Sequence, residues 1–209
     1  MARLVIVEKL LGEAARGQEA AAAATVLDRG GVLMAHKRDF LSRRDLSGAE
    51  IERILDHASR LERAFRAGEV PQTLKGEAVA LWFPDTGFRN LVAFDLGIRR
   101  MGGDAIRIPG ELGQRETTED MAVYLSNWFN ATIVRAPSYA AVQQLAGASR
   151  VPVINARTHH NHPCEVLGDL AYARKVRGVL AGLTVVFVGR QPPTSATAGS
   201  RQPRSSQYG

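Results

Sequence analysis

The feature that most constrains this chain is the regular alternation of short apolar runs with longer segments of helical periodicity. Short apolar runs bounded by Gly, Pro or polar residues are typical of strands buried in a parallel sheet, and apolar residues spaced three or four apart predict helices packed on it. Strands are expected at 77–83, 105–108, 131–135, 151–155 and 183–188, and helices at 51–67, 88–98, 117–128, 139–146 and 162–176. The sequence therefore predicts the α/β class, with a parallel sheet flanked by helices and right-handed crossovers.

The joint between the first strand and its helix predicts an anion site. The apolar run 77–83 ends at the segment PDTG (84–87), and helical spacing follows. Free backbone N–H groups and the helix dipole converge at such a joint, and Arg89 in the first turn adds a cation. Ligands bind beyond the carboxyl ends of parallel strands, so we expect Arg135 and the loop 155–162 nearby. A plain strand–loop–helix joint without a ligand is the alternative.

Charge and cysteine content narrow the class of partner. The net charge of +6 is compatible with an anionic ligand. The basic residues are dispersed and are not interleaved with aromatic residues, which argues against a nucleic-acid partner. Cys164 is the single cysteine, so no internal disulfide can form, and no apolar run is long enough to cross a membrane. We therefore expect a cytoplasmic protein with no membrane partner.

Composition divides the 209 residues into four parts. Residues 1–37 read as an extension, because the alanine run at 20–24 lacks an extended apolar stripe. Residues 38–177 carry the strand–helix alternation of an α/β domain. Residues 178–188 predict the first strand of a second domain, and residues 189–209, rich in Pro, Ser, Gly, Gln and Arg, have the composition of a disordered tail.

A cluster of His159, His160, His162 and Cys164 invites a metal-binding interpretation. Zinc sites in sequence usually combine two separated ligand clusters, and no second cluster of Cys or His is present, so no metal is expected. A nucleophilic role for Cys164 is also disfavoured, because no general base is placed for it and buried free cysteines are commonly inert.

Several segments in order resemble the ornithine and aspartate carbamoyltransferases. They are FLSRRDLSGAEIERIL, GELGQRETTEDMAVYLS, IVRAPSYAAVQQLA and, above all, SRVPVINARTHHNHPCEVLGDL. The resemblance runs from about Phe40 to Gly189, and Cys164 makes it similar to the ornithine type. It implies the carbamoyl-phosphate-binding domain of that fold, trimers with active sites shared between neighbours, and transfer of a carbamoyl group from carbamoyl phosphate to an amino-acid amine, without a cofactor.

The resemblance also implies roles for individual residues. Arg135 matches the arginine that contacts phosphate and carbonyl, His162 matches the histidine that polarises the carbonyl, and both are the expected catalytic residues. Asn155 matches a residue that binds the amino acid. The carbamoyl-phosphate contacts are expected from the following set: Gly87, Phe88, Arg89, Asn90, Glu111, Arg135, His162 and Glu165.

The chain departs from the family pattern where the ligand should bind. The family's Ser-Thr-Arg-Thr-Arg loop is here Gly87–Leu91, so one arginine remains and both threonines are replaced. Glu111 and Glu165 stand where the family has glutamines, and a carboxylate cannot donate a hydrogen bond and repels phosphate. The family's later Ser-Met-Gly and His-Cys-Leu-Pro segments do not occur, which suggests a truncation or frameshift after Val188.

Impaired or absent turnover is the resulting expectation. Two alternatives stay open: a non-catalytic homologue that binds a different ligand, and a structural remnant without a ligand.

Overall fold

The structure, a computed structural model, describes residues 37–84 and 87–186. Its helices and strands alternate along the chain after a short 3-10 turn at Arg43–Asp45. The helices are α1 (Gly48–Ala67), α2 (Phe88–Arg100), α3 (Thr118–Trp128), α4 (Tyr139–Ala148) and α5 (Pro163–Arg177). The strands are β1 (Ala78–Trp82), β2 (Asp104–Ile108), β3 (Ala131–Arg135) and β4 (Val153–Arg157).

Helix α1 begins and ends where its sequence signals predict. The Ser47 side chain accepts a hydrogen bond from the Glu50 N–H, and the Glu50 carboxylate accepts one from the Ser47 N–H at 2.8 Å. Gly68 ends the helix in the left-handed conformation, with φ of 76°. This capping box and glycine stop satisfy backbone groups that the helix cannot pair internally. The predicted helix is therefore confirmed.

The four strands form one sheet in the order β2-β1-β3-β4, and every pairing in it is parallel. The predicted α/β class with a parallel sheet flanked by helices is confirmed. Ahead of α1, Phe40 forms a parallel bridge with Ile154, so the chain before the helix lies along the outer edge of β4.

Helices cover both faces of the sheet, because successive strand residues point to opposite sides. On one face Val79, Leu81 and Ile133 pack with residues of α1, α2 and α5. On the other face Trp82 and Val134 pack with residues of α3 and α4. Two separate apolar cores thus hold the central strands in register.

The fourth strand begins two residues later than the sequence pattern predicts, at Val153 instead of Val151. Pro152 has no N–H to donate to a ladder. Its carbonyl still accepts a hydrogen bond from the Thr132 N–H at 2.9 Å, and the paired strand begins at Val153. The strand ends at Arg157, two residues beyond the predicted end, so Asn155 lies inside it.

The expected fifth strand at 183–188 is wrong for the residues described. Residues 183–186 form no strand, and Val185 and Val186 are 60% and 76% exposed. A strand needs a neighbour to accept its hydrogen bonds, and no described segment lies beside this one in a ladder. Residues 187–188, the tail 189–209 and residues 1–36 of the expected extension lie outside the described residues, so the four-part division stays a prediction.

The described residues contain no helix that is both long enough and apolar enough to cross a bilayer.

Helix α2 offers a matched test of the packing, because Ile98 is fully buried and Leu96, on the same helix, is 50% exposed. We expect Ile98→Ala to lower the free energy of unfolding by about 2–5 kcal/mol, since it leaves a cavity. Leu96→Ala should lower it by less than about 1 kcal/mol. Urea unfolding followed by circular dichroism measures both, and equal losses would contradict the described packing of α2.

Candidate functional site

The candidate site lies at the carboxyl edge of the sheet, where three neighbouring strands end at Trp82, Arg135 and Arg157. The N-termini of α2 and α5 begin at the same edge, since each follows one of these strands. Convergence of strand ends and helix N-termini is the usual ligand-binding geometry of parallel sheets.

Arg135 lies directly against the loop that begins α2. A Cβ atom added to Gly87 would sit 2.7 Å from Arg135 Cζ and 2.8 Å from Nε, closer than atoms can approach. Gly87 also has φ of 100°, in the left-handed region that favours glycine. A larger residue at position 87 would have to displace the guanidinium, and the structure brings together two residues that the sequence predicts for the anion site.

The N-terminus of α2 carries groups that can bind an anion. Gly87 has no side chain to cap the helix, and the Asn90 N–H already donates to the Gly87 carbonyl at 2.9 Å. The N–H groups of Phe88 and Arg89 have no hydrogen-bond partner among the described residues, so they can donate to a ligand or water. Arg89, in the same turn, is exposed, and a cation at a helix N-terminus is unfavourable unless an anion offsets it. Phe88, beside it, is 73% exposed. Its ring has no hydrogen-bond donor, so only its backbone N–H could contact an anion, and its expected role in carbamoyl-phosphate binding stays a prediction.

A second contact joins α2 to α5 through two buried side chains that are 72 positions apart. The Asn90 side-chain amide lies 3.0 Å from His162 Nε2, and the two residues are 7% and 9% exposed. His162 is the N-cap of α5, and its Nδ1 accepts a hydrogen bond from the Glu165 N–H at 3.3 Å. The histidine is thus fixed at both ring nitrogens.

Glu165 Oε2 lies 3.3 Å from the same His162 Nε2. A carboxylate only accepts, so this contact places a proton on Nε2, in agreement with the acceptor role of Nδ1. For Asn90 to accept a hydrogen bond from this Nε2–H group, its side-chain amide has to be turned by 180°, which exchanges the positions of its oxygen and nitrogen. Glu165 therefore competes with any ligand for the Nε2–H group of His162.

Asn155 is fully buried, and its amide serves the protein itself. Its Nδ2 donates to the Leu41 carbonyl at 2.9 Å and to Asn161 Oδ1 at 2.5 Å, while its Oδ1 has no partner among the described residues. The structure therefore places Asn155 beneath the loop 158–161 and away from the surface with Arg135. Its role in binding an amino acid stays a prediction.

Glu111 lies on the exposed loop after β2, and no described contact joins it to Arg135 or His162. The loop is held to the sheet edge by Trp82, whose Nε1 donates to the Gly110 carbonyl at 2.9 Å. The expected contribution of Glu111 to a neighbouring subunit's site stays a prediction.

The side chains of the predicted cluster of His159, His160, His162 and Cys164 do not form a metal-binding group among the described residues. His159 and His160 are exposed, the His160 ring stacks near Tyr139 with centroids 5.4 Å apart, and Cys164 is buried with its Sγ donating to the Asn155 carbonyl. Among residues 37–84 and 87–186, no group of three or more His, Cys, Asp or Glu side chains is placed to hold a metal ion. Burial and the charge of Asp45 raise the pKa of Tyr139.

Sequence reasoning missed Arg157, which is the register partner of Arg135 on β4. Burial and the charge of Arg157 lower the pKa of the Arg135 guanidinium, which stays protonated at neutral pH. The apolar run that predicts β4 stops at Asn155, whereas the strand continues to Arg157, so the pattern gave no signal for this residue.

Residues 38–175 match the family model of the aspartate/ornithine carbamoyltransferase, carbamoyl-P binding domain. This match covers most of the chain. The chain belongs to the aspartate/ornithine carbamoyltransferase family. It is 37% identical over 155 residues to the ornithine carbamoyltransferase of Acinetobacter baylyi, covering 73% of this chain and 51% of that protein. It is 39% identical over 157 residues to that of Parafrankia sp., covering 73% and 49%.

Solved ornithine carbamoyltransferases have the same fold. The structure from Burkholderia thailandensis matches with a TM-score of 0.65 and 32% identity over 68% of this chain and 50% of that one. The structure from Pyrococcus furiosus matches with a TM-score of 0.66 and 29% identity over 70% and 48%. The carbamoyltransferase-family chain described here thus spans about half the length of the relatives it matches.

The contact between Gly87 and Arg135 has a matched control in Gly68, which has φ of 76° but nothing within 4 Å of an added Cβ. Gly87→Ala and Gly68→Ala should each lower the free energy of unfolding by about 1–2 kcal/mol, because both force alanine into a left-handed conformation. Only Gly87→Ala should also shift the Nε–H signal of Arg135 in a ¹⁵N NMR spectrum, because its methyl group displaces the guanidinium. An unchanged signal would contradict the close approach.

Proposed function

We propose that this chain is the carbamoyl-phosphate-binding half of an ornithine-carbamoyltransferase-type protein, and that it binds carbamoyl phosphate, or a close analogue of it, at the carboxyl edge of the sheet. The observation that carries the proposal is the guanidinium of Arg135 against Gly87 at the start of α2. A cation, free N–H groups and a helix dipole meet at that point, and a phosphate dianion is stabilised by all three. The similarity of the chain to ornithine carbamoyltransferases supports the choice of ligand.

Each residue of the site has a role in the proposed chemistry. Arg89 and the first-turn N–H groups of α2 hold the phosphate, and Arg135 reaches both the phosphate and the carbamoyl carbonyl. His162 donates to the carbonyl oxygen through Nε2. An amine that attacks the carbonyl carbon forms a C–N bond, the C–O bond to phosphate breaks, and phosphate leaves with the proton that the amine gives up. Donors on the carbonyl oxygen stabilise the negative charge that develops there.

We propose that turnover by this chain is impaired or absent. The Glu165 carboxylate beside His162 Nε2 repels a phosphate dianion and occupies the donor that should polarise the carbonyl. The Asn155 amide, expected to bind the amino acid, is committed to internal hydrogen bonds. The chain is therefore better suited to binding than to transfer.

A homotrimer in the cytoplasm is the proposed assembly and location. The trimer rests on the family relationship, in which neighbouring subunits share active sites, and on the exposed position of the loop that carries Glu111. The location rests on the presence of one cysteine, Cys164, so that no internal disulfide can form.

A non-catalytic homologue that binds a different ligand is the second candidate. It is favoured by Phe88, which is 73% exposed where the family has a hydroxyl-bearing residue, because an exposed ring at a site edge suits an apolar ligand group.

Carbamoyl phosphate binding is tested with phosphonoacetamide, a stable analogue in which a methylene group replaces the bridging oxygen. Calorimetric titration should show binding to the unchanged chain, and Arg135→Gln should weaken it at least about tenfold, because a charge-assisted hydrogen bond contributes roughly 1.5–3 kcal/mol.

Arg150→Gln is the matched control. Arg150 is exposed at the opposite edge of the sheet, where it pairs with Asn127, and its loss changes the net charge equally. No heat of binding at millimolar phosphonoacetamide would contradict the proposed ligand.

The two carboxylates provide a separate test in the opposite direction. The double variant Glu111→Gln with Glu165→Gln should bind phosphonoacetamide several-fold more tightly, because it removes two negative charges and restores two amide donors. Each single variant is titrated beside the double one. If affinity does not change, these carboxylates do not face the bound anion.

A further inference from the structure

We propose that Arg157 makes the carboxyl edge a site for ligands with two anionic groups: a phosphate-type dianion at the start of α2 and a carboxylate beside Arg157. The phosphate-type half rests on the function proposed above. The carboxylate half rests on Arg157 and on the charges around it, and it determines which class of ligand the site prefers.

The backbone places the two arginines side by side. Arg135 and Arg157 are register partners at the ends of β3 and β4, after a shift in the ladder between Val134 and Arg135. The Ala136 N–H donates to the Arg157 carbonyl at 3.1 Å, which keeps the two strand ends paired. Neighbouring strands lie about 4.8 Å apart, so two guanidinium groups start from adjacent positions on one edge.

Neither guanidinium has a counter-charge within the described part of the chain. Both residues are half-buried, and neither forms a hydrogen bond or an ion pair through its side chain with residues 37–84 or 87–186. Some other arginines of the described residues do have carboxylate partners, and these pairs are Arg38 with Glu50, Arg66 with Glu62, Arg99 with Asp95, and Arg174 with Glu52 and Asp56. Two adjacent like charges without a partner are unfavourable unless an anion binds between them.

One phosphate does not satisfy both arginines. Arg135 lies against Gly87, where a phosphate at the helix start meets it, while Arg157 is one strand further from α2. A second anionic group a few Å from the phosphorus atom is needed to reach Arg157. A carboxylate fits this position because its two oxygens match the planar fork of a guanidinium.

Glu165 does not fill this role. Its carboxylate lies 3.3 Å from His162 Nε2, at the start of α5, and forms no ion pair with Arg135 or Arg157. Among the residues that the structure describes, the negative charge of the site therefore lies on the helix side and the positive charge of Arg135 and Arg157 on the strand side. A ligand with its carboxylate toward β4 is placed on the favourable side.

Two ligands that differ in a single group test the inference. Phosphonoacetate carries a carboxylate where phosphonoacetamide carries a neutral amide. Calorimetric titration of the full chain should show phosphonoacetate binding at least about tenfold more tightly. Arg157→Gln should remove this preference and leave phosphonoacetamide affinity within about twofold, whereas Arg157→Lys should keep part of it. Arg150→Gln, with the same change of net charge, should keep all of it.

The outcomes separate this inference from the proposed function. If phosphonoacetamide binds and phosphonoacetate binds no more tightly, the second anionic group is wrong and the proposed function stands. If the preference survives in Arg157→Gln, another residue holds the carboxylate and the assignment to Arg157 is overturned. If neither ligand binds to the unchanged chain, the proposed function and this inference both fail. Thermal unfolding of each variant confirms that it is folded.

Discussion

Parallel pairing of the three neighbouring strands β1, β3 and β4 is the constraint on which the site depends. Because the strands run in one direction, their last residues, Trp82, Arg135 and Arg157, end at one edge. The two apolar cores fix this register, since a slip of one residue would turn Ile133 and its neighbours toward the opposite face. The position of the arginines is therefore a consequence of burial many residues away from them.

The N-termini of α2 and α5 complete the site at that edge. Gly87 allows α2 to begin within contact of the Arg135 guanidinium, which any larger residue would displace. The buried contact of Asn90 with His162 then ties the start of α2 to the start of α5. Two helix N-termini and one strand end are held together by these two contacts. Removing either contact changes the site before it changes the fold.

The local signals of the fold are legible in the sequence. Ser47, Glu50 and Gly68 bound α1, and the strand at 131–135 and the helix beginning at 118 were predicted to the residue or nearly so. These features depend on a few adjacent residues. The fifth strand failed because its stability depends on a neighbour that residues 183–186 do not have, and an apolar run alone cannot supply one.

The site was harder to predict than the fold, because its contacts join distant positions and depend on small shifts. Strand β4 runs two residues further than the apolar pattern predicts, so Asn155 lies inside the strand, where it is buried, and Arg157 is the last strand residue. A residue-by-residue comparison with the family assigned ligand contact to Asn155 and had no reason to consider Arg157. Hydrophobic periodicity identifies the buried face of one helix or strand. It therefore gives no indication of a contact between two helices, such as the contact of Asn90 with His162.

The charges at the edge argue for a change of ligand preference more than for loss of the site. A decayed site would be expected to lose its tight geometry, yet the Gly87 and Arg135 contact and the fixed His162 ring are both present. The two sides of the edge differ in charge, since the Glu165 carboxylate lies beside His162 and Arg157 is the register partner of Arg135. These two charges have opposite signs and lie on opposite sides of the edge. They orient the electrostatic field that a ligand meets, while Arg135 stays beside the start of α2.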